Sequence, residues 1–400
     1  MRALVITNLY PPHALGGYEM SCRDVVELWR ERGHEVEVLT TSTTFHNPAG
    51  DPAEPHVHRD LEWYWNNHEL ERPPARQRLA RERHNRTALL ARLDALQPEV
   101  VSLWAMGGMS VGLITACLAR SQPMALVMED DWLVYAPVVD AWTSSWSRRP
   151  RWQRGLARRL TGLPTETPNL TPDVTVAFAS DYLRRRAKDD GRIGFVSSEI
   201  VPLGTNAVDF PVRRDGARPW RGRLLSVGRI EPRKGFDVAV RALADLPEMT
   251  LRIVGPSDER YTNELQRLAK ELGVADRLTL DSSVDRTQIA DVYADADVCL
   301  FLSRWDEPFG LVPLEAMTQA TPVVATRRGG SAEFLTDHLN CLEVPTDDDA
   351  AVVRAVKLLA RDEALRRKLV NGGLTTGSAY RVDRFAEGLE RIHLAVAGSA

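Results

Sequence analysis

Residues 1–40 read MRALVITNLY PPHALGGYEM SCRDVVELWR ERGHEVEVLT. The apolar run at 2–7 predicts a short strand, and the apolar residues of 19–32 recur at helical spacing. Gly33 ends that helix, and 35–39 predicts the next strand. This strand–helix–strand order is typical of a parallel sheet covered by helices, so it predicts an α/β fold.

The same alternation of strands and helices continues along the rest of the chain. The predicted strands are 99–103, 124–128, 174–178, 200–203, 223–227, 250–254, 277–280, 297–302, 322–325 and 341–344, and the later helices are 236–244, 259–271 and 287–294. Residues 204–219 are rich in Gly, Pro and Arg and lack periodicity, which marks a boundary. We therefore predict two successive α/β domains, 1–205 and 206–380, with a final helix at 381–397 that packs back onto the first.

Composition sets the class of protein. The chain has 400 residues, 44% hydrophobic and 26% charged, which is ordinary for a globular protein of two domains. Its net charge of −4 gives no general attraction to nucleic acid. The sequence turns polar at Asn8, too early for a signal peptide, and the apolar run 103–119 is too short to span a bilayer. We expect a cytoplasmic protein with reduced, buried cysteines.

Two carboxylates, Glu307 and Glu315, flank a Pro-Phe-Gly turn. The turn predicts a helix start whose first amides, at 310–312, lack intrahelical partners and can hold an anion. One carboxylate lies beside that anion site and the other lies along the helix. This arrangement suits a ligand with phosphates in the middle and hydroxyls at both ends, such as a nucleotide-sugar. The alternative is a chance pair on a solvated helix edge.

A second motif carries the positive charge. Residues 228–235 read GRIEPRKG, and they leave a predicted strand, turn, and open a helix. Arg229 and Lys234 can converge there on a diphosphate, because Arg grips two oxygens at once and Lys supplies a compact charge. They would stabilise charge growing on a leaving diphosphate. A basic surface turn is the competing interpretation.

Two further loops follow predicted strands. Gly16 and Gly17 permit close approach of a ligand to the backbone at a helix start, and residues 327–333 repeat this device. Glu129 and Asp130 follow the strand 124–128, where clustered acids could hold a divalent metal. Since Arg229 and Lys234 can serve the diphosphate, we expect neither a metal nor a cofactor.

The stretches 47–74 and 132–172 break the regular rhythm and are rich in aromatic residues. Both follow strand ends, where ligands bind in open α/β sheets, so they are candidates for the second substrate. The candidate acceptor-binding residues are His13, Trp63, Trp65, Trp104 and Trp132. The alternatives are plain surface loops and, for the Trp- and Arg-rich 132–172, peripheral contact with the inner face of a membrane.

The two second-domain motifs, Gly-Arg-x-x-x-x-Lys-Gly at 228–235 and Glu-x7-Glu at 307–315, resemble those of glycosyltransferase family 4. The resemblance covers nearly the whole chain. It implies the GT-B fold, with two Rossmann-like domains facing across a cleft and a C-terminal helix crossing back. It also implies that the first domain binds the acceptor and the second binds the nucleotide-sugar.

By this resemblance Arg229 and Lys234 bind the diphosphate, Glu315 binds the ribose, and Glu307 holds the donor sugar. The implied donor-binding residues are Gly16, Gly17, Gly228, Val254, Gly255, Ser283, Val284, Phe309, Gly310, Leu311 and Glu315. Such enzymes transfer a hexose with retention, on one face, with the leaving phosphate accepting the proton of the acceptor hydroxyl. No protein nucleophile is then needed.

The chain departs from the family at one position. Members commonly carry a donor-contacting His after the strand that corresponds to 124–128, whereas this chain has Glu129-Asp130-Asp131-Trp132. Either the donor sugar differs, or an acid makes the contact, or activity is low. We take as a hypothesis that Glu129 or Asp130 hydrogen-bonds a donor hydroxyl.

The sequence is also compatible with two other functions. A GT-B-fold nucleotide-sugar epimerase would need acid/base carboxylates but no acceptor site, and the aromatic insertions argue against it. A nucleotide-sugar-binding protein without transfer activity would explain the missing His. The acceptor is a small molecule, a saccharide or a lipid-linked hydroxyl, in carbohydrate or natural-product biosynthesis.

Overall fold

The computed structural model describes residues 1–45, 54–66, 69–213, 218–257, 259–282, 284 and 286–398. The predicted donor-binding residue Ser283 lies outside these ranges, as do parts of the 47–74 stretch. The chain divides into two compact units, Met1–Val201 with Phe385–Ala400, and Pro202–Arg384. Each unit is a parallel sheet covered by helices, which confirms the predicted α/β class.

The first unit contains a parallel sheet in the order β3-β2-β1-β6-β7-β8-β9. Its strands are β1 (Arg2–Ile6), β2 (Glu35–Thr41), β3 (Val57–Leu61), β4 (Trp65–Asn66), β5 (Glu69–Leu70), β6 (Val100–Leu103), β7 (Met124–Met128), β8 (Thr175–Phe178) and β9 (Ser197–Ile200). Its helices are α1 (Gly17–Glu31), α2 (Ala75–Leu96), α3 (Gly112–Leu118), α4 (Trp132–Val139), α5 (Arg151–Thr161) and α6 (Asp181–Asp190). The small β4–β5 pair is antiparallel and separate from the main sheet.

Two sequence-based expectations for this unit are wrong. The strand predicted at 200–203 lies at Ser197–Ile200, because β9 is a partly exposed edge strand and its polar residues conceal it. The irregular stretch 47–74 contains β3, which pairs with β2 at the other edge of the sheet.

The second unit contains a parallel sheet in the order β12-β11-β10-β13-β14-β15. Its strands are β10 (Arg223–Val227), β11 (Thr250–Val254), β12 (Leu278–Asp281), β13 (Val298–Phe301), β14 (Val323–Ala325) and β15 (Leu342–Glu343). Its helices are α7 (Phe236–Ala244), α8 (Glu259–Glu271), α9 (Ile289–Asp295), α10 (Leu311–Thr318), α11 (Asp349–Arg361) and α12 (Glu363–Ala379). Aliphatic side chains of α7, α8 and α11 pack with those of the central strands to form the core.

The last helix, α13 (Val382–Ala397), belongs to the first unit from Phe385 onward. The indole of Trp29 donates a hydrogen bond to the carbonyl of Ala386 at 3.1 Å. The His393 imidazole lies 2.7 Å from the Ser102 hydroxyl, and burial lowers its pKa to about 4, which keeps it neutral. The predicted return of the C-terminal helix to the first domain is confirmed.

Candidate functional site

The second unit has its topological switch point between β10 and β13. The chain runs from β10 outward to β12, and then from β13 outward to β15 on the other side. In open α/β sheets, ligands bind outside the carboxyl ends of strands at such a point. The two sequence motifs follow β10 and β13 directly, so the fold brings them to this place.

Lys234 and Glu307 meet at the switch point. Lys234 ends a 3₁₀ turn, Pro232–Lys234, and its Nζ donates to Glu307 Oε1 at 2.7 Å. The two loops are held together by their backbones, since the Arg304 amide donates to the Arg233 carbonyl at 2.8 Å. Glu307 is buried and Lys234 is mostly so, which makes this a partly desolvated ion pair rather than a surface contact.

Glycines permit the close approach of these loops. Gly255, at φ 154°, leaves no room for a side chain, because a Cβ there would lie 2.1 Å from the Gly228 carbonyl oxygen. Gly329, at φ 62°, packs in the same way, with a Cβ falling 2.4 Å from the Glu307 carbonyl oxygen. The Gly330 amide also donates to that oxygen at 2.7 Å. The position of Glu307 is therefore fixed by the loop after β14.

Helix α10 begins beside Glu307. Gly310 precedes it at φ 95°, and no side chain caps the first turn. The first amides of a helix have no intrahelical acceptor, so those of Leu311 and Val312 are suited to an anion. The Phe309 ring is buried against Phe334, with 5.3 Å between centroids, so only its backbone is offered to a ligand.

Glu315 is positioned by a residue that the sequence did not suggest. The Tyr293 hydroxyl donates to Glu315 Oε2 at 2.6 Å, and Tyr293 itself is fully buried. Burial raises the pKa of the Glu315 carboxyl, while the Arg286 guanidinium counteracts part of this shift. No motif distinguishes Tyr293 from a core tyrosine, so sequence reasoning had no signal for it.

The remaining donor candidates of this unit lie around the same sheet edge. Gly228 and Gly255 follow β10 and β11, and the Gly228 amide donates to the Val254 carbonyl at 3.0 Å. Arg229 is exposed directly after Gly228, and Val284 is half-buried beyond the end of β12. Val254 is buried within β11, so only its backbone is at the edge.

The Gly16–Gly17 loop of the first unit opens α1, as expected. However, the side chain of Glu19 turns back over this helix start, where its Oε2 accepts from the Gly16 amide at 2.9 Å and from the Leu15 amide at 3.3 Å. The protein's own carboxylate therefore satisfies amides that were predicted to face a ligand. Glu19 is a candidate residue that the sequence-based reasoning missed.

Glu129 and Asp130 differ in the hydrogen bonds that they form. Asp130 accepts from the Trp132 amide at 3.1 Å and from the Tyr135 hydroxyl at 2.9 Å. Glu129 is buried, and its Oε1 has no hydrogen-bond partner. Burial raises its pKa well above the ordinary value, and the neighbouring carboxylate of Glu19 adds to the shift. Of the two, Glu129 has the free capacity for a further hydrogen bond.

The buried acids of this unit predict a pH-dependent stability. Burial raises the pKa of both Asp130 and Glu82 to about 7, against roughly 4 in an unfolded chain. Their protonated forms favour the folded state, so the associated stability is complete below pH ~4 and is lost as the pH rises to ~7. Asp130→Asn should therefore gain stability over wild type between these pH values, by on the order of a few kcal/mol.

Urea unfolding followed by Trp fluorescence checks this at several pH values from 4 to 7.5. Measurements at pH 4 provide the internal control, because wild-type Asp130 is protonated there. A difference between variant and wild type that stays constant with pH would contradict the assignment.

The candidate acceptor residues are mostly interior. Trp104 and Trp132 are fully buried and pack in the core, so their burial does not support the acceptor role predicted for them. His13 and Trp63 are also buried, and the Trp63 indole donates to the Gly107 carbonyl at 2.8 Å. Trp65 is half-buried and stacks on Trp63 at 4.6 Å, so it is the best exposed of the five.

The described residues contain no group of three or more His, Cys, Asp or Glu side chains arranged to hold a metal ion. No helix within the same ranges is long and apolar enough to cross a membrane. The four cysteines are unpaired and buried, as predicted.

Comparison with known proteins shows what the second unit is similar to. Residues 216–375 match the family model of glycosyl transferases group 1. The D-inositol 3-phosphate glycosyltransferase 2 of Catenulispora acidiphila is 38% identical over 172 residues, 40% of this chain and 40% of its own length. The chain spans about half the length of the curated relatives it matches, or less, between 40% and 52% for three of them.

Solved structures resemble the whole chain. Sucrose-phosphate synthase from Thermosynechococcus elongatus covers 100% of both chains with a TM-score of 0.72 at 21% identity. Anabaena HepE, solved with UDP and glucose, covers 98% of both chains with a TM-score of 0.67 at 17% identity. These likenesses confirm the predicted GT-B fold with its two Rossmann-like domains. The resemblance to glycosyltransferases is likewise confirmed, and the family match lies in the second domain, at residues 216–375.

Proposed function

We propose that this chain is a retaining glycosyltransferase that moves a sugar from a nucleoside-diphosphate-sugar to an acceptor hydroxyl without a metal ion. The observation that carries the proposal is the Lys234–Glu307 pair at the switch point, 2.7 Å apart and beside the uncapped start of α10. It joins a cation for phosphate and a carboxylate for sugar hydroxyls in one place. The group 1 match over the same unit supports it.

The diphosphate is the group that this site fits best. Lys234 supplies a charge in a partly desolvated position, where its attraction to phosphate is stronger than in water. The amides of Leu311 and Val312 add two neutral donors at a helix start. Exposed Arg229 provides a second cation that can turn toward the outer phosphate oxygens. As the glycosidic bond breaks, these groups stabilise the charge that the leaving diphosphate acquires.

Retention follows from attack on the face from which the diphosphate departs. The bond between the anomeric carbon and the phosphate oxygen breaks, and the acceptor oxygen forms a bond to the same face of that carbon. The proton of the acceptor hydroxyl passes to the departing phosphate oxygen. This balance of atoms requires no protein nucleophile and no metal ion.

Glu129 is our candidate for the contact that a His makes in resembling enzymes. It is buried, it has one oxygen without a partner, and its raised pKa favours the protonated form. A protonated carboxyl can donate as well as accept a hydrogen bond, which suits a sugar hydroxyl. Asp130 positions Trp132 and Tyr135 instead, so it acts on the loop rather than on the donor.

A turnover assay tests the proposal. Purified protein is incubated with a panel of nucleotide-sugars and simple saccharide or lipid-like acceptors, with and without EDTA. We expect release of nucleoside diphosphate from one donor, unaffected by EDTA, and an α- or β-configuration in the product that matches the donor. Inversion at the anomeric carbon, or loss of activity in EDTA, would refute the mechanism while leaving transfer intact. Release of an epimer without transfer would identify an epimerase.

Glu315→Ala should raise the donor KM by about 10–100-fold and leave kcat within a few-fold. A hydrogen bond to a charged group contributes about 1.5–3 kcal/mol, and the ribose lies remote from the breaking bond, so binding and not chemistry is weakened. Tyr293→Phe removes only the hydroxyl that orients Glu315 and should have a smaller effect of the same kind. Initial-rate kinetics with varied donor measure both, with exposed Glu271→Ala as the matched control. A fall in kcat at unchanged KM would contradict the ribose assignment.

A further inference from the structure

Helix α5 (Arg151–Thr161) carries apolar side chains on its outer face. Trp152, Leu156 and Leu160 are 68%, 51% and 72% exposed. Their spacing of four residues places them along one stripe, within an arc of about 80° on the helix. The inward side of the same helix is marked by Ala157, which is buried. We call these three residues the apolar stripe.

A band of positive charge borders the apolar stripe. Residues 141–165 contain six arginines and no acidic residue. Of these six, Arg154 alone forms an ion pair with a described residue, Glu166 at 2.9 Å, and it lies on the inward side. The other five arginines are exposed: Arg148, Arg149, Arg151, Arg158 and Arg159. Around the helix axis, Arg159, Arg151 and Arg158 come next after the apolar stripe, on the side that does not contain the buried Ala157. Since the whole chain carries a net charge of −4, this charge is local.

We propose that the apolar stripe and its exposed arginines dock the first unit onto an anionic lipid surface. An amphipathic helix with Trp and Leu on one side and Arg beside them lies in the plane of a membrane interface. The Trp152 indole suits the headgroup level, and the long arginine stems allow their charges to reach lipid phosphates. This inference goes beyond the proposed function, because docking does not require sugar transfer.

The arginines favour a lipid surface over a second copy of the chain. A two-fold contact would place the same patch against itself. The exposed arginines of both copies would then face one another in a partly desolvated interface, which is unfavourable. An anionic bilayer offers both an apolar interior for the stripe and phosphates for the arginines.

Vesicle co-sedimentation of the full chain tests the proposal. The probes are vesicles of equal phosphatidylglycerol and phosphatidylcholine, and vesicles of phosphatidylcholine alone, at 50 and 500 mM NaCl. We expect binding to the first kind at low salt, at least tenfold weaker binding at high salt, and little binding to the neutral vesicles. Absence of binding to the anionic vesicles at low salt would overturn the proposal.

Two variants separate the contribution of the apolar stripe to vesicle binding from that of the exposed arginines. W152S/L156S/L160S and R149Q/R151Q/R159Q should each reduce vesicle affinity at least tenfold, without a change in thermal unfolding. Val208→Ser with Arg260→Gln is the matched control, because both residues are exposed and lie outside this patch. Unchanged vesicle binding by the stripe variant would overturn the proposal. If the stripe variant instead abolishes dimers seen by light scattering, with vesicle binding intact, the stripe is an interface between copies of the chain.

Discussion

Lys234→Ala is expected to lower kcat by about 10²–10³-fold while the donor KM changes much less. Charge on the diphosphate grows as the glycosidic bond breaks, so the Lys234 ammonium interacts more strongly with the transition state than with the bound donor. The magnitude is that of removing one preorganised group that stabilises developing charge. Steady-state kinetics with the preferred donor measure it, and exposed Lys270→Ala is the matched control.

A second variant is needed because Lys234 has a buried and charged partner, Glu307. Removing the ammonium leaves the Glu307 carboxylate buried without its ion pair, which by itself can destabilise the fold. Lys234→Met combined with Glu307→Gln removes both charges and restores a neutral interior. If kcat falls as far in the double variant as in Lys234→Ala, and both unfold at the wild-type temperature, the loss belongs to catalysis. A wild-type kcat in a folded Lys234→Ala protein would eliminate the leaving-group role.

Glu307→Gln is the second large effect that we expect. The donor kcat/KM should fall by about 10–100-fold, because a charged acceptor for sugar hydroxyls becomes a neutral one. Affinity for the bare nucleoside diphosphate should persist or rise, since Lys234 no longer shares its charge with a carboxylate. Calorimetric titration with the diphosphate, alongside donor kinetics, separates these outcomes. The exposed Glu248→Gln serves as the control.

A different result would reassign Glu307. If Glu307→Gln weakens the bare diphosphate and the intact donor to the same extent, the carboxylate acts only by orienting Lys234. Its proposed contact with the sugar would then be withdrawn, while the diphosphate site would stand.

Much of the second unit could be predicted from the sequence. Strands Arg223–Val227 and Thr250–Val254 and helices Phe236–Ala244 and Glu259–Glu271 agree with their predicted limits. Their apolar periodicity is uninterrupted, and glycines with positive φ, such as Gly228 and Gly235, lie at the ends. Local signals and tertiary structure agree in this region, which is the condition under which a sequence is easiest to interpret.

Helix α2 (Ala75–Leu96) shows why the first unit was harder. The sequence did not predict it, although it is the longest helix in the described residues. Its inward face begins with Glu82 and Asn85, so apolar residues recur at helical spacing only in its second half, at Leu89, Leu93 and Leu96. Glu82 is satisfied there by the hydroxyls of Ser110 and Tyr64. Because such partners come from distant parts of the chain, no local sequence pattern predicts them.

The candidate site was also only partly predictable from local sequence patterns. The meeting of Lys234 and Glu307 could be predicted, because both motifs follow strands of one parallel sheet and carry complementary chemistry. The burial of Trp104 and Trp132 could not, since a Trp after a strand looks alike in sequence whether it packs or binds. Glu19, which turns back over its own helix start, was equally hidden.

The most direct test of the central claim is a thermal unfolding series with a panel of nucleoside diphosphates, each with and without EDTA. We expect one of them to raise Tm, equally in EDTA, by several degrees at about 100 times its Kd. The rise should disappear when Lys234→Ala and Glu315→Ala are combined. If no nucleoside diphosphate raises the Tm of the wild-type protein, the site around Lys234, Glu307 and Glu315 does not hold a nucleotide, and the proposed function fails.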